Sequence, residues 1–344
     1  MIKDILTTLE TILKINSPTG YTFEIIDYIE NLFNTNKKLF LKKTNKGSLL
    51  VSFSEKPGLV VTGHVDTLGA LVKEIKKDGT LEITMLGSYP LNSFEGEYVT
   101  IRNNAGKLFR GTFLLNNPAS HVNKNVSFEK RNTANMSIRL DEMVNSDKDV
   151  IKAGISVGDF VFYDTRFEIT KSGFVKSRFL DDKACVAIMI ELIKEYSDSK
   201  KNINAAFYFS NYEEVGHGSS AGIPLSAEEL LVLDMAVIGE GCTGKEDAVS
   251  ICVKDSSGPY DFHVIGKLRK IAIKNKLKYV TDIYPYYGSD GSAAQRAGYD
   301  VRAGLIGPGV SASHGVERTH IKGLNETYKL AKLYIENFIR KTKA

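Results

Sequence analysis

Gly58-Leu59-Val60-Val61-Thr62-Gly63-His64-Val65-Asp66 reads as a strand that opens into a polar loop. Residues 59–61 are apolar at successive positions and Thr62 is β-branched, as in a strand buried on both faces of a parallel sheet. His64 and Asp66 follow at its carboxyl end, the end at which open α/β sheets bind ligands. An imidazole with an acid two residues on supplies a metal ligand and a group to orient a neighbour. Taken alone, a histidine after a strand is more often a satisfied structural residue.

Working outward, residues 2–14 place Ile5, Leu6, Leu9, Ile12 and Leu13 on one helical face, and Ser17-Pro18-Thr19-Gly20 ends that helix. Ile25, Ile26, Ile29, Leu32 and Phe33 mark a second helix, followed by short strands around 38–43 and 47–53. From about 70 to 165 the pattern changes to alternation, as in Leu81-Glu82-Ile83-Thr84-Met85, Tyr98-Val99-Thr100-Ile101 and Phe160-Val161-Phe162. Turn signals Asp78-Gly79 and Asn104-Ala105-Gly106 separate these segments, and no strong helical period appears.

Strand–helix alternation returns after about 170. It predicts helices over 183–197, 260–276, 290–297 and 321–341, and strands over 203–210, 230–238, 247–254, 279–284 and 300–306. The fold class is therefore α/β: a doubly wound, mostly parallel sheet formed by 1–69 and 166–344, with a small β-barrel domain, 70–165, inserted into it.

The 344 residues carry a formal charge of +4, which argues against a dedicated nucleic-acid binder. The basic stretch Lys267 to Lys278 is spaced by Leu268, Ile271 and Ile273, as on the solvated face of a helix. Cys185, Cys242 and Cys252 form no CxxC motif, and Lys3 and Asp4 bring charge too early for a signal peptide. No apolar run approaches the roughly 20 residues of a membrane span. The expected place is the cytoplasm, with no membrane partner.

Acids gather where strands end. Glu213-Glu214 follows Ala205-Ala206-Phe207-Tyr208-Phe209 and precedes the turn Val215-Gly216-His217-Gly218. Beyond the strand both carboxylates can reach one cavity, one holding metal and the other acting as a general base on water. The alternative is a solvated acidic loop. Asp181-Asp182 stands before a helix; Asp182 alone reads as an N-cap, while the adjacent pair favours a cation near Asp181. Asp234 closes the apolar run Leu230-Leu231-Val232-Leu233. His314 lies in Ser311-Ala312-Ser313-His314-Gly315-Val316-Glu317, with His320 as the rival ligand. These are the ligand types of a two-metal hydrolytic centre.

Four stretches together resemble a known family: Gly63–Asp66, Phe179-Leu180-Asp181-Asp182-Lys183, Tyr212-Glu213-Glu214-Val215-Gly216 and the segment from Val253 to Asp261. In this order they are similar to the dinuclear metallo-aminopeptidases of the glutamyl-aminopeptidase type, metallopeptidase family forty-two, which includes the tetrahedral TET enzymes. The resemblance implies a zinc-exopeptidase-like catalytic domain and two divalent ions, zinc or cobalt. It matches His64 and Asp234 to one ion, Glu214 and His314 to the other, and Asp181 to the bridge. It matches Glu213 to the general base acting on a metal-bridged water, and Asp66 to the acid that orients it. It implies peptides with a free N-terminus as substrates. It also implies a homo-oligomer, up to a tetrahedral dodecamer, built with help from the inserted β-rich domain. The chain departs from the family pattern at Asn211-Tyr212, at Ser311-Ala312-Ser313 and at Gly288-Ser289-Asp290-Gly291.

Two other readings remain. A glycoside hydrolase of the endoglucanase type needs two carboxylates across a sugar, but the chain has no tryptophan for a sugar-stacking cleft. A catalytically silent oligomeric scaffold would have to bury the acid and histidine set without compensation.

Overall fold

Every residue of Leu59–His64 is buried, so both faces of this strand are covered. In the computed structural model, which describes residues 1–199, 201 and 203–342, the chain divides into two units. One comprises Met1–Thr67 and Arg166–Ala344, the other Leu68–Thr165.

In chain order the strands are β1 (Phe40–Lys43), β2 (Leu49–Ser52), β3 (Leu59–His64), β4 (Gly69–Ile75), β5 (Leu81–Leu86), β6 (Tyr98–Arg102), β7 (Leu108–Leu115), β8 (Met136–Leu140) and β9 (Phe160–Tyr163). They continue with β10 (Glu168–Ile169), β11 (Phe174–Ser177), β12 (Ala205–Ser210), β13 (Glu229–Leu233), β14 (Ala236–Ile238), β15 (Val249–Asp255), β16 (Gly258–Pro259), β17 (Tyr279–Ile283), β18 (Arg302–Ser311) and β19 (Glu317–His320). The helices are α1 (Ile2–Leu13), α2 (Phe23–Phe33), α3 (Asp147–Ala153), α4 (Leu180–Asp198), α5 (Phe262–Lys274), α6 (Asp290–Arg296) and α7 (Ile321–Thr342).

The first unit is built on a 13-stranded sheet whose main path runs β1-β2-β12-β3-β13-β18-β19-β11-β10. Its centre is parallel: β12 and β13 flank β3, and β18 lies parallel beside β13. The edges turn antiparallel, at β1–β2 and at β11–β19. Register places Ser210 beside His64, and Val232 beside Thr62. The carboxyl ends of three adjacent strands therefore open at one level.

Helix α4 carries no polar stripe over most of its length, and residues 180–193 are all buried. A helix apolar all round belongs in a core. Each fully buried aliphatic side chain contributes about 1.5–3 kcal/mol of transfer free energy. Lys183, buried among them, donates to the carbonyl of Ile12 in the last turn of α1 (2.9 Å) and to that of Ile15 just beyond it (2.5 Å). In α5 Leu268 and Ile271 are buried with Val264, Ile265 and Ala272, whereas Ile273, the third apolar spacer of the basic stretch, is exposed.

The second unit is a closed antiparallel barrel, β4-β5-β8-β7-β6-β9. Val72, Ile83, Val99, Ile101, Phe113, Ile138 and Val161 are fully buried there. Gly111 allows the close approach of neighbouring strands, since a Cβ there would stand 2.7 Å from Ile138 and 2.8 Å from the Arg139 carbonyl. The unit also contains α3, which the alternating pattern did not announce. Ser146 caps this seven-residue helix by accepting from the Asp149 N–H, and Gly154 ends it at φ 102°.

Two other differences from the expected elements matter at the site. The strand expected over 230–238 is two strands, β13 and β14, interrupted at Asp234-Met235. The strand expected over 300–306 runs on to Ser311, pairing with β13 and then β14. Gly307 permits the break, because a Cβ there would lie 1.7 Å from the Asp234 carbonyl oxygen. Among the described residues no helix is long and apolar enough to cross a membrane.

Candidate metal centre

His64 ends β3, and its ring is fixed from both sides. Nδ1 lies 2.8 Å from the Asp66 carbonyl oxygen, and Nε2 lies 3.1 Å from Asp181 Oδ1. The first contact makes Nδ1 the donor in a neutral ring and leaves the Nε2 lone pair facing the acids. Asp66, wholly buried, turns its carboxylate to the next loop. Its Oδ1 accepts the Glu213 N–H (3.2 Å), and its Oδ2 accepts Thr19 Oγ1 (2.7 Å) and the Glu214 N–H (3.4 Å).

Glu213 and Glu214 lie in the turn beyond β12, entered through Tyr212 at φ 73°. Glu213 Oε2 stands 3.8 Å from His64 Nε2. Glu214 Oε2 stands 3.6 Å from His314 Nε2. The two side chains differ in access: 15% exposed for Glu213 and 3% for Glu214.

Asp181 occupies the centre. Its Oδ1 faces His64 Nε2, and its Oδ2 lies 3.3 Å from His314 Nε2. Helical geometry begins only after Asp182, so the pair stands ahead of the regular helix. Asp182 is not an N-cap: its Oδ2 accepts the His64 backbone N–H (3.3 Å). Asp234, at the β13–β14 break, completes a second group with His64 and Asp182.

His314 is presented by a turn with φ 61°, and Glu317 holds that turn. Glu317 accepts the His314 N–H (3.0 Å) and the Asp181 N–H (3.1 Å). The rival His320 faces elsewhere. Its Nε2 meets the Ser172 carbonyl (3.1 Å), its Nδ1 accepts the Lys322 N–H (3.0 Å), and its ring packs edge-on against Phe174. His64, Asp66, Asp181, Glu213, Glu214, Asp234 and His314 thus meet in one cluster, and His320 stands outside it. Asp182 and Glu317 were not singled out as parts of it. The signals were present: a second acid beside Asp181, and an acid three residues after His314.

Electrostatics reflect the crowding. Burial and neighbouring acids push Glu213, Glu214 and Asp182 well above the usual carboxylate range. Burial, then the Asp181 charge, pushes Asp234 up to about 8. Burial opposes charge on His64, but the hydrogen bond its protonated ring donates to Asp181 and the charges of Glu213 and Asp234 outweigh it and raise its pKa. Asp181 goes the other way: burial would raise it, but hydrogen bonds from His314 and His64 hold it low.

A divalent cation fits this donor set. Among the described residues, three buried carboxylate oxygens of this cluster have no hydrogen-bond partner: Asp182 Oδ1, Glu214 Oε1 and Asp234 Oδ1. Leaving such groups unpaired is costly. The groups His64–Asp181–Glu214 and His64–Asp182–Asp234 each bring one donor atom per residue within 4.8 Å of the others. Mixed imidazole and carboxylate donors suit zinc or cobalt.

A mostly parallel α/β sheet carrying a buried histidine, a half-buried one and buried acids at its carboxyl ends defines an α/β protein with a metal-ligand type of site. The chain belongs to the M42 glutamyl aminopeptidase family, whose model matches residues 47–330, and it is accordingly a hydrolase of the peptidase class. YhfE of Bacillus subtilis, which carries a provisional aminopeptidase name, is 46% identical over 337 residues, covering 96% of each chain. In fold the chain is similar to the TET1 peptidase of Pyrococcus horikoshii, which can assemble into a tetrahedron or a large octahedral shell. That likeness has a TM-score of 0.85 at 21% identity, over 96% of this chain and 99% of that one. A Thermotoga maritima structure named endoglucanase shares the fold at a TM-score of 0.74 and 17% identity, over 98% of this chain and 99% of that one.

Proposed function

We propose that this protein is a two-metal aminopeptidase that removes N-terminal residues from peptides. The observation that carries this reading is the posture of Asp181, which offers one carboxylate oxygen to His64 and the other to His314. That is how a carboxylate shared between two ions would stand. His64 and Asp234 would hold one ion, and Glu214 and His314 the other. Asp182 supports the first group through the His64 backbone. When bound, divalent ions supply Lewis acidity toward the scissile carbonyl and a water.

Glu213 is the carboxylate left over, and the more accessible of the adjacent pair. Its Oε2 takes the proton of the attacking water and later delivers it to the leaving amine. Asp66 fixes the Glu213 and Glu214 backbone N–H groups while its own carbonyl sets the His64 tautomer. One acid thus orients both the base and a ligand.

A homo-oligomer is part of the proposal. Large apolar side chains are exposed on both units, Phe128 and Met143 in the barrel and Leu225 and Tyr286 in the other, so each has apolar surface to offer an assembly. The TET1 likeness supports a closed shell that restricts substrates to peptides.

The test is a panel of aminoacyl chromogenic substrates, assayed on chelated protein resupplied with zinc or cobalt, beside N-acetylated controls. Metal-restored cleavage confined to free N-termini is expected. Cleavage of a β-glucan without any peptide hydrolysis would overturn the proposal, as would full activity after metal removal.

A further inference from the structure

The turn that carries Glu213 and Glu214 is gripped by two charges of opposite sign, and neither belongs to the donor set above. Asp290 opens α6 and is buried. Its Oδ1 accepts the Ser219 N–H (2.8 Å), and its Oδ2 accepts Ser210 Oγ (2.5 Å) and Thr62 Oγ1 (2.9 Å). Ser210 ends β12 just before the turn, and Thr62 lies on β3 just before His64. The anion therefore ties the floors of both strands to the far limb of the turn.

Lys46, at the tip of the β1–β2 hairpin, approaches the same limb through its ammonium group. It donates to the His217 carbonyl, to the Gly218 carbonyl (2.6 Å) and to Ser220 Oγ (2.9 Å). Its own carbonyl accepts Asn211 Nδ2 (3.2 Å), on the near limb. The cation thus takes carbonyls and the anion takes an N–H of one short stretch. Charge-assisted bonds of this kind are about twice as strong as neutral ones. Gly218 lies between them, and a Cβ there would stand 1.9 Å from Asp290 Oδ1 and 3.1 Å from Glu213 Cβ. Only glycine leaves Asp290 room against the turn.

We propose that Lys46 and Asp290 are positioning residues: they set where the Glu213 carboxylate stands, acting through the 210–220 turn and touching neither substrate nor metal. This rests on Glu213 being the base. Small displacements of a reacting group cost rate far more than binding, with about 100-fold lost for an ångström.

The experiment compares Lys46→Met, Lys46→Arg and Asp290→Asn with wild type for kcat, KM, metal content and melting temperature. Lys46→Met is expected to lose about 10–100-fold in kcat, with KM within about threefold and metal content unchanged. Lys46→Arg should recover most of the loss, and Asp290→Asn should lower kcat in the same manner. A folded Lys46→Met with unchanged kcat overturns the inference, as does loss of metal in proportion to activity. Should Lys46→Met fail to fold, Ser220→Ala removes a single acceptor; a kcat loss of about 2–5-fold supports the inference and no loss overturns it. An inert wild type removes both this inference and the aminopeptidase reading. An active wild type beside an indifferent Lys46→Met removes this inference alone.

Discussion

His314 Nε2 stands 3.3 Å from Asp181 Oδ2, and one carboxylate, that of Glu317, accepts the backbone N–H of both residues. The turn before β19 and the start of α4 are thereby locked together. Glu317 is itself buried, and burial with the Asp181 charge pushes it up to about 8. Glu317→Ala should leave the buried Asp181 N–H and the half-buried His314 N–H without their acceptor and let His314 drift. The expected result is a fall of about 10–100-fold in metal affinity, read by competition with a chromophoric chelator. Unchanged affinity would show that the turn holds itself.

Glu213→Gln preserves shape and one acceptor but cannot take a proton. Metal content should match wild type, while kcat falls by about 10²–10⁴-fold. Metal analysis and steady-state kinetics on the same sample check both halves. A variant with near-normal turnover would remove Glu213 from the chemistry.

The two late histidines should separate cleanly. His314→Ala removes a ring that faces Asp181 and Glu214, so bound metal and activity should fall together. His320→Ala removes a ring engaged with Ser172, Lys322 and Phe174, so melting temperature should drop while metal content holds. The reverse pattern, measured by elemental analysis and calorimetry, would exchange their roles.

Much of this site is written in local patterns. An apolar run such as 59–61 or 230–233 with an acid or histidine soon after it is legible because a strand buried on both faces has few other endings. The partners that make the site work are not local. Asp182 looks like a helix cap until α4 is set against β3 and its carboxylate meets the His64 N–H. Glu317 becomes a tether only when β19 returns beside the start of α4. The break at Asp234 depends on Gly307 of another strand, and no period in 230–238 records it. Helix α3 is seven residues long, too short for a hydrophobic period to rise above the strands around it.

The pH dependence of the metal-free protein follows from the raised acids. Asp234 and Glu317 titrate at about 8 when folded, burial being the first cause and the Asp181 charge the second. In an unfolded chain they titrate near 4. Between about 4 and 8 the folded chain therefore holds more protons than the unfolded one, and stability falls as pH rises through that window, levelling above about 8. His64, whose folded pKa is also raised, adds to the same slope, because its contribution too is lost as pH rises. Asp181 is held low and has the opposite sign, but its contribution is lost only as pH falls below about 4. A divalent ion needs these groups ionised, so it displaces their protons, and its affinity should climb with pH to about 8. Calorimetric melting of chelated and zinc-loaded protein from about pH 5 to 8 checks this. The chelated form should lose melting temperature across the series, and the gap to the zinc form should widen. A chelated protein that gains melting temperature over that range would mean that the acids are already ionised, their charge balanced by something other than a bound cation.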